Sequence, residues 1–350
     1  MSTSVRVIQF ETVFGRRVGV VEGWSVRDVT STEPRVTRVV DACAIACADN
    51  SPLAERLLDW ASRSPHKYAY ASLLDTTDLA DGPVLRAPFD HLEPSRVMVS
   101  GTGLTHLGSV KSRDAMHAVA SDAAKAAPVT DSQRMFEWGC AGGRPATGAR
   151  GTPPEWFYKG NGHAVSGPNG PLTIPAFAED GGEEPEIVGC YWIDPRGKPR
   201  RAGFAVGNEW SDHAFEKRNY LYLAPSKLRA CAIGPELVVG HDFQEIELRC
   251  TVTRAGRTIY DSGPLMTGER HMCHSLANLE DHHFKFAGHR TPGDVHLHFF
   301  GTSRLSYGER DWVYDDGDEI RIAAPDFSAT LVNTVRREPR GDVVQSVETC

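Results

Sequence analysis

From residue 156 onward, apolar runs a few residues long alternate with turns built on Gly, Pro and Asp, and this punctuation constrains the fold more than any other feature. Stretches at 186–193, 202–206, 236–240, 245–254, 295–300 and 319–323 read as strands, being rich in Val, Ile and aromatics and too short for buried helices. The turns Pro292-Gly293-Asp294 and Asp316-Gly317-Asp318 punctuate them. With 33 Gly and 22 Pro in 350 residues, the chain suits a turn-rich β architecture better than a helical bundle.

The first part of the chain is mixed. Strands are expected at 5–9 and 18–22, joined through Gly15-Arg16-Arg17, with a third at 24–30. Between 36 and 64 the apolar spacing becomes helical: Val39, Ala42, Ile45 and Ala46, then Leu53, Leu57, Trp60 and Ala61. Ser51 is the candidate N-cap of the second helix, with Pro52 at its first position. The proline-punctuated stretch 83–94 suggests a boundary, giving an N-terminal α+β domain (1–95), a main β domain (96–336) and a polar tail (337–350). After an apolar strand at 97–104, a polar-faced helix at 111–127 carries Asp114 and His117. The Gly-, Ala- and Pro-rich stretch 139–154 reads as a mobile lid or an idle insertion.

A net charge of −8 and a pI near 6.0 argue against nucleic acid as a partner. No apolar run approaches the ~20 residues of a membrane span. The N-terminus lacks a secretory leader, and the eight cysteines form no close CxxC pair, which together imply reduced thiols and a cytoplasmic location. Cys43 and Cys47 share a helix face and read as packing residues.

The chemistry concentrates between 178 and 227. Glu184 and Glu186 are separated by one residue, so on an extended strand they point to the same side. Two carboxylates held that close repel unless a positive charge joins them, and Mg²⁺ accepts carboxylate oxygens at ~2.0–2.1 Å. A third acid, Glu209 or Asp212, could complete the site. The plain alternative is that 183–186 is a solvated acidic turn.

Several segments, taken in order, resemble the fumarylacetoacetate hydrolase superfamily over about residues 96–335. They are Gly103-Leu104, Phe157-Tyr158-Lys159, Glu184-Pro185-Glu186, Asn208-Glu209-Trp210-Ser211, Ser226-Lys227, Thr291-Pro292-Gly293-Asp294, Gly301-Thr302-Ser303, Asp316-Gly317-Asp318 and Leu331-Val332-Asn333. The form Gly-Asn-Glu-Trp-Ser-Asp-His is most similar to the sugar-acid, GguC-like branch. The resemblance implies an α+β fold with a mixed β-roll, a homodimer, and a small acidic substrate handled with Mg²⁺, for which Mn²⁺ or Ca²⁺ could substitute. By that resemblance Glu184, Glu186 and Glu209 are the metal ligands. Glu209 stands where the family usually has Asp, and Asp212, Ser211 and Asn208 lie behind the ligands. Lys159 and the turn Gly301-Thr302-Ser303 face the substrate.

The activity implied is dehydration of a 2-keto-3-deoxy sugar acid, a pentonate in the first instance, through a metal-bound enolate. C–C hydrolysis of a 2,4-diketo acid is the runner-up, weakened because His-x-x-Glu is absent after the Gly-Leu turn. Non-catalytic ligand binding is the third reading. Lys227 is the expected base, its pKa lowered by the metal and by burial, with His106, Asp114 and His117 as competitors. Lys227 could instead serve in a salt bridge with Glu209 or Asp212. The histidines between 271 and 298 match no tetrahedral zinc spacing, and the alternation of His296 and His298 suits a strand.

Overall fold

The computed structural model describes residues 4–111, 130–339, 341 and 344–350. Its largest element is a mixed sheet of 13 strands. From one edge, its main path runs Lys67–Ala69, Ser25–Asp28, Gly15–Glu22, Val5–Thr12, Leu237–Val239, Pro199–Asn208, Pro185–Ile193, Val295–Phe299, Val97–Gly101 and Phe157–Asn161. Most neighbours are antiparallel, but Val97–Gly101 runs parallel to Val295–Phe299. A second sheet of six strands contains Arg257–Asp261, Ile246–Arg254, Glu319–Ala323, Leu331–Arg337 and Pro171–Ile174, with Leu265–Thr267 paired to Ile246–Arg254.

All nine residues of Pro185–Ile193 are buried, as befits a central strand covered on both faces. Ile187, Tyr191 and Ile193 enter a core shared with Ile246, Leu248 and Ile320 of the second sheet. Val188, Cys190 and Trp192, of opposite parity, enter a core with Val39, Leu57 and Trp60 of the N-terminal helices. Each such side chain contributes about 1.5–3 kcal/mol on burial, so this strand is anchored from both sides.

The N-terminal strands lengthen this same sheet. Val5–Thr12 pairs with Leu237–Val239 through Val5↔Val239, and the second core also crosses residue 95. The first hairpin turns at Val13-Phe14, with Thr12 opposite Gly15, two residues earlier than the spacing suggested. Gly15, at φ 111°, makes the tight return there. The two helices are Val39–Ala48 and Leu53–Ser62, and Pro52 rather than Ser51 occupies the N-cap.

The stretch 139–154 does not fit the lid reading. Its first residues end the helix Asp131–Gly142, and the remainder is pinned to the chain around Leu276–Phe284. Arg144 donates to Met272 O at 2.8 Å, Gly151 N to Asn278 Oδ1 at 2.9 Å, and Arg150 pairs with Asp281 at 3.0 Å. The expected helix at 111–127, with Asp114 and His117, lies outside the described residues.

Candidate active site

The two central strands bring the acids together through their pairing. Pro185 sits opposite Asn208, so Glu184 and Glu209 meet where the strands end. Glu209 N donates to Glu184 O at 3.0 Å, and Glu184 N donates to Asn208 Oδ1 at 3.2 Å. Glu186 follows one pleat further on. One carboxylate oxygen from each of Glu184, Glu186 and Glu209 lies within 4.8 Å of the others. Their exposures are 7%, 1% and 0%, and Glu183 is also at 0%, which removes the solvated-turn reading of the acid run. Glu183 has a separate task, accepting from Ser306 N at 2.6 Å and Tyr314 Oη at 2.6 Å.

Two lysines partly offset the three charges. Lys227 Nζ donates to Glu209 Oε2 at 2.6 Å and also to Glu184 Oε1. Lys159 Nζ pairs with Glu209 Oε1 at 2.7 Å and donates to the carbonyls of Trp210 and, at 3.0 Å, Lys227. Ser211 Oγ adds a bond to Glu209 Oε1 at 3.2 Å. Burial works against the charge on Glu184, but Lys227 and His213 outweigh it and hold its pKa below the ordinary value. Burial, reinforced by Glu209 and Glu184, pushes Glu186 well above its ordinary value. Glu209 is also raised, by burial and by Glu184, against the pull of Lys159 and Lys227.

The pocket that opens on Glu184 and Glu186, with Glu209 outside its wall, is lined also by Thr102, Leu104, Phe157, Lys227, Gly301 and Thr302. Gly301 N donates to Glu186 Oε2 at 2.7 Å. The glycine there has φ 93°, and a Cβ would stand 2.2 Å from Thr105 Oγ1, so only glycine fits.

Several sequence expectations require correction. Lys227 does reach the pocket, but its pKa is not lowered: burial alone would lower it, and the carboxylates of Glu184 and Glu209 override burial and raise it. Lys159 is absent from the pocket wall, its ammonium being bonded to Glu209 and to the carbonyls of Trp210 and Lys227. His106 is also buried away from the pocket, with Nδ1 bonded to Thr105 Oγ1 at 2.9 Å and Nε2 to Thr267 Oγ1 at 3.1 Å. Burial pushes its pKa down to about 3, which leaves it neutral. Ser303 packs its backbone against Gly108, where a Cβ would lie 1.9 Å from Ser303 O, and it does not line the pocket. Asp212 caps the helix His213–Arg218 by accepting from Phe215 N at 3.0 Å, and it also accepts from Glu179 N at 3.0 Å and Arg229 at 3.2 Å. Asp212 thus stands outside the group formed by Glu184, Glu186 and Glu209.

The architecture can be compared with known proteins. No family model matches this chain. Over 187 residues it is 30% identical to a Haloferax volcanii protein named "Probable 2-keto-3-deoxyxylonate dehydratase", an alignment covering 52% of this chain and 60% of that protein. The match therefore spans less than two thirds of the relative's length. Among solved structures, 2-keto-3-deoxy-D-arabinonate dehydratase complexed with magnesium and 2,5-dioxopentanoate superposes with a TM-score of 0.66 at 16% identity, over 95% of this chain and 99% of that one. The fumarylacetoacetate hydrolase from psychrophilic Exiguobacterium antarcticum gives a TM-score of 0.57 at 17% identity, over 95% and 100%. The chain has the fold of the fumarylacetoacetate hydrolase superfamily.

On this fumarylacetoacetate hydrolase fold, two ionisable pocket residues went unseen in the sequence: His213 and Glu216. His213 Nε2 bonds Glu184 Oε1 at 3.0 Å. The signal was available, because residues 213–216 spell His-x-x-Glu, and i, i+3 spacing puts both on one face of a helix. It sits after Glu209 and not after the Gly-Leu turn. His283 and His296 lie in a network of their own. Trp156 Nε1–H donates to His283 Nδ1 at 3.1 Å, so the His283 proton is on Nε2 and points to His296 Nδ1 at 2.9 Å.

Proposed function

We propose that this chain is a Mg²⁺-dependent dehydratase of a 2-keto-3-deoxy sugar acid, with a pentonate as substrate. The observation that carries the reading is the convergence of Glu184, Glu186 and Glu209 within 4.8 Å, with Glu184 and Glu186 lining a pocket. All three offer hard oxygen donors, the set that Mg²⁺ prefers. The raised pKa values of Glu186 and Glu209 mark negative charge that the two lysines leave unbalanced, and a divalent cation would balance it. Mn²⁺ and Ca²⁺ are proposed substitutes on the same chemistry. The name of the Haloferax volcanii relative and the magnesium complex of the arabinonate enzyme support the substrate class.

When bound, Mg²⁺ supplies Lewis acidity toward the carboxylate and keto oxygens of a 2-oxo acid, which makes the C3 proton acidic. The chain's own residues prepare the site. Gly301 fixes Glu186, and Lys159 with Ser211 fixes Glu209. Lys227 brings its ammonium to the pocket, where it attracts an acidic substrate. Thr102, Thr302 and Phe157 shape the wall and limit water. A homodimer belongs to the proposal, supported by the exposed apolar side chains Tyr220 (50%), Leu221 (74%) and Leu228 (50%). A cytoplasmic location belongs to it too, supported by eight free thiols; among the described residues no helix is long and apolar enough to cross a membrane.

The test is turnover of purified protein with Mg²⁺ against a panel of 2-keto-3-deoxy and 2,4-diketo acids. A semialdehyde from a 2-keto-3-deoxy acid is the expected product. Pyruvate released from a 2,4-diketo acid, without any semialdehyde, would replace dehydration with C–C hydrolysis. No turnover, with binding retained, would leave a ligand-binding protein.

A further inference from the structure

The N-terminal hairpin carries a second charged cluster, remote from the acids. Register puts Arg16 opposite Glu11 and Arg86 opposite Gln9, so these four side chains share one face of the sheet around Val5–Thr12. Asp90 joins them: its Oδ2 accepts from Arg16 Nη2 at 2.7 Å and its Oδ1 from Gln9 Nε2 at 2.9 Å. Arg38 Nε, from the start of the helix Val39–Ala48, stands 3.5 Å from Asp90 Oδ1. Arg86 Nε donates to Glu11 Oε2 at 2.8 Å.

In this cluster Arg16, Arg38 and Arg86 meet Glu11 and Asp90, so positive charge is in excess. The excess is shielded from water, because the side chains of Arg16 and Arg38 are only 17% and 18% exposed. Arg16 Nη1 and Arg38 Nε are buried with no hydrogen-bond partner among the described residues. Charged donors left without an acceptor are costly, and such groups call for an anion or water. Burial, with Arg38 and Arg86, holds the Arg16 pKa below its ordinary value against the pull of Asp90 and Glu11.

A cavity of about 200 Å³ opens here, lined by Arg16, Arg86 and Asp90 and also by Phe89, Val97 and Leu297. One water needs roughly 15 Å³, so the space takes a molecule of several non-hydrogen atoms. The three apolar residues are at most 2% exposed, which makes the lining cationic and apolar at once. None of the six lines the pocket over Glu184 and Glu186. Val97 begins the strand Val97–Gly101, and Thr102 of that pocket follows its far end, roughly 16 Å away at ~3.3 Å per residue.

We propose that this cavity binds a small organic carboxylate of about four carbons, with its oxygens on Arg16 and Arg86 and its chain against Phe89, Val97 and Leu297. The site is separate from the proposed catalytic one and does not depend on the dehydratase reading. A guanidinium presents paired N–H donors that match the two oxygens of a carboxylate. The apolar wall favours a hydrocarbon chain, which inorganic phosphate lacks.

The probe is butanoate, titrated into the purified full chain and followed by NMR. EDTA is present so that no cation draws the acid to Glu184 and Glu186. Acetate and inorganic phosphate are the comparisons. Butanoate is expected to bind saturably, about tenfold more tightly than acetate, which is shorter by two methylenes, and more tightly than phosphate. R16M is expected to weaken butanoate binding at least about tenfold. R86M, at the more exposed arginine (40%), is expected to weaken it severalfold, and it decides the matter if R16M does not fold. Absence of saturable butanoate binding would overturn the proposal. So would phosphate binding at least as tightly as butanoate, or butanoate bound equally well by the wild type and R86M, which would place the acid elsewhere.

Discussion

Glu186 carries the least compensated charge of the three carboxylates proposed to hold the cation. Glu184 has Lys227 and His213, Glu209 has both lysines, and Glu186 has one backbone N–H at 2.7 Å. Burial and two neighbouring carboxylates therefore oppose its ionisation, as its raised pKa records. Removing that charge should help the metal-free protein and harm the loaded one. E186Q is expected to raise the urea midpoint in EDTA by the equivalent of about 1–2 kcal/mol, and to abolish the increment that Mg²⁺ gives the wild type. An unchanged Mg²⁺ increment in E186Q would remove it from the ligand set. At this scale the sequence was most legible where chemistry is local. Glu184 and Glu186 could be paired from strand geometry alone, because i, i+2 spacing holds wherever the strand lies. The fate of His106 could not, because its second partner is Thr267, 161 residues away. The pKa of Lys227 could not either, because burial and two carboxylates pull on it in opposite directions and only their distances decide which wins.

Among the elements, the six strands expected in the β half lie within a few residues of their places, since each carries its own apolar pattern and its own turn, whereas Pro171–Ile174, Cys231–Ile233, Arg257–Asp261, Leu265–Thr267 and Leu331–Arg337 were not expected. What the pattern withheld was which strands pair. The meeting of Pro185–Ile193 with Pro199–Asn208, which makes the site, follows from register and not from composition. The short helix His213–Arg218 was unreadable for the opposite reason: six residues give too little periodicity. The strand Val295–Phe299 supports a prediction of its own. Its His296 and His298 are buried against His283, and burial pushes both pKa values down to about 3, as it does for His106. An unfolded imidazole takes up its proton near pH 6.5, so between that pH and about 3 the unfolded chain binds more protons. Stability is therefore complete above pH 6.5 and is lost as pH falls through this window. Each group contributes up to about 1.4 kcal/mol per pH unit. H298N is expected to lose about 2 kcal/mol less than the wild type between pH 7 and pH 5 in urea unfolding. Equal losses in the two proteins would mean that His298 is protonated in the folded state.

The whole molecule is built so that one central strand serves two purposes. Pro185–Ile193 is locked between two cores along its length, and its leading end delivers Glu184 and Glu186 to the pocket. Because the N-terminal strands continue the same sheet, the segment before residue 95 braces this strand through the core it shares with Leu57 and Trp60. The composition at 83–94 hinted at a boundary there. It could not reveal the pairing of Val5 with Val239, since two strands so far apart in the chain leave no local mark of each other. The central claim is that this scaffold exists to hold a cation against a 2-oxo acid. Dehydration of a 2-keto-3-deoxypentonate, measured after exhaustive chelation, after Mg²⁺ is restored, and in E184Q, tests it most directly. Activity should vanish on chelation, return with Mg²⁺, and fall by about a hundredfold or more in E184Q at every Mg²⁺ concentration. Full activity in the chelated wild type, or in E184Q, would contradict it.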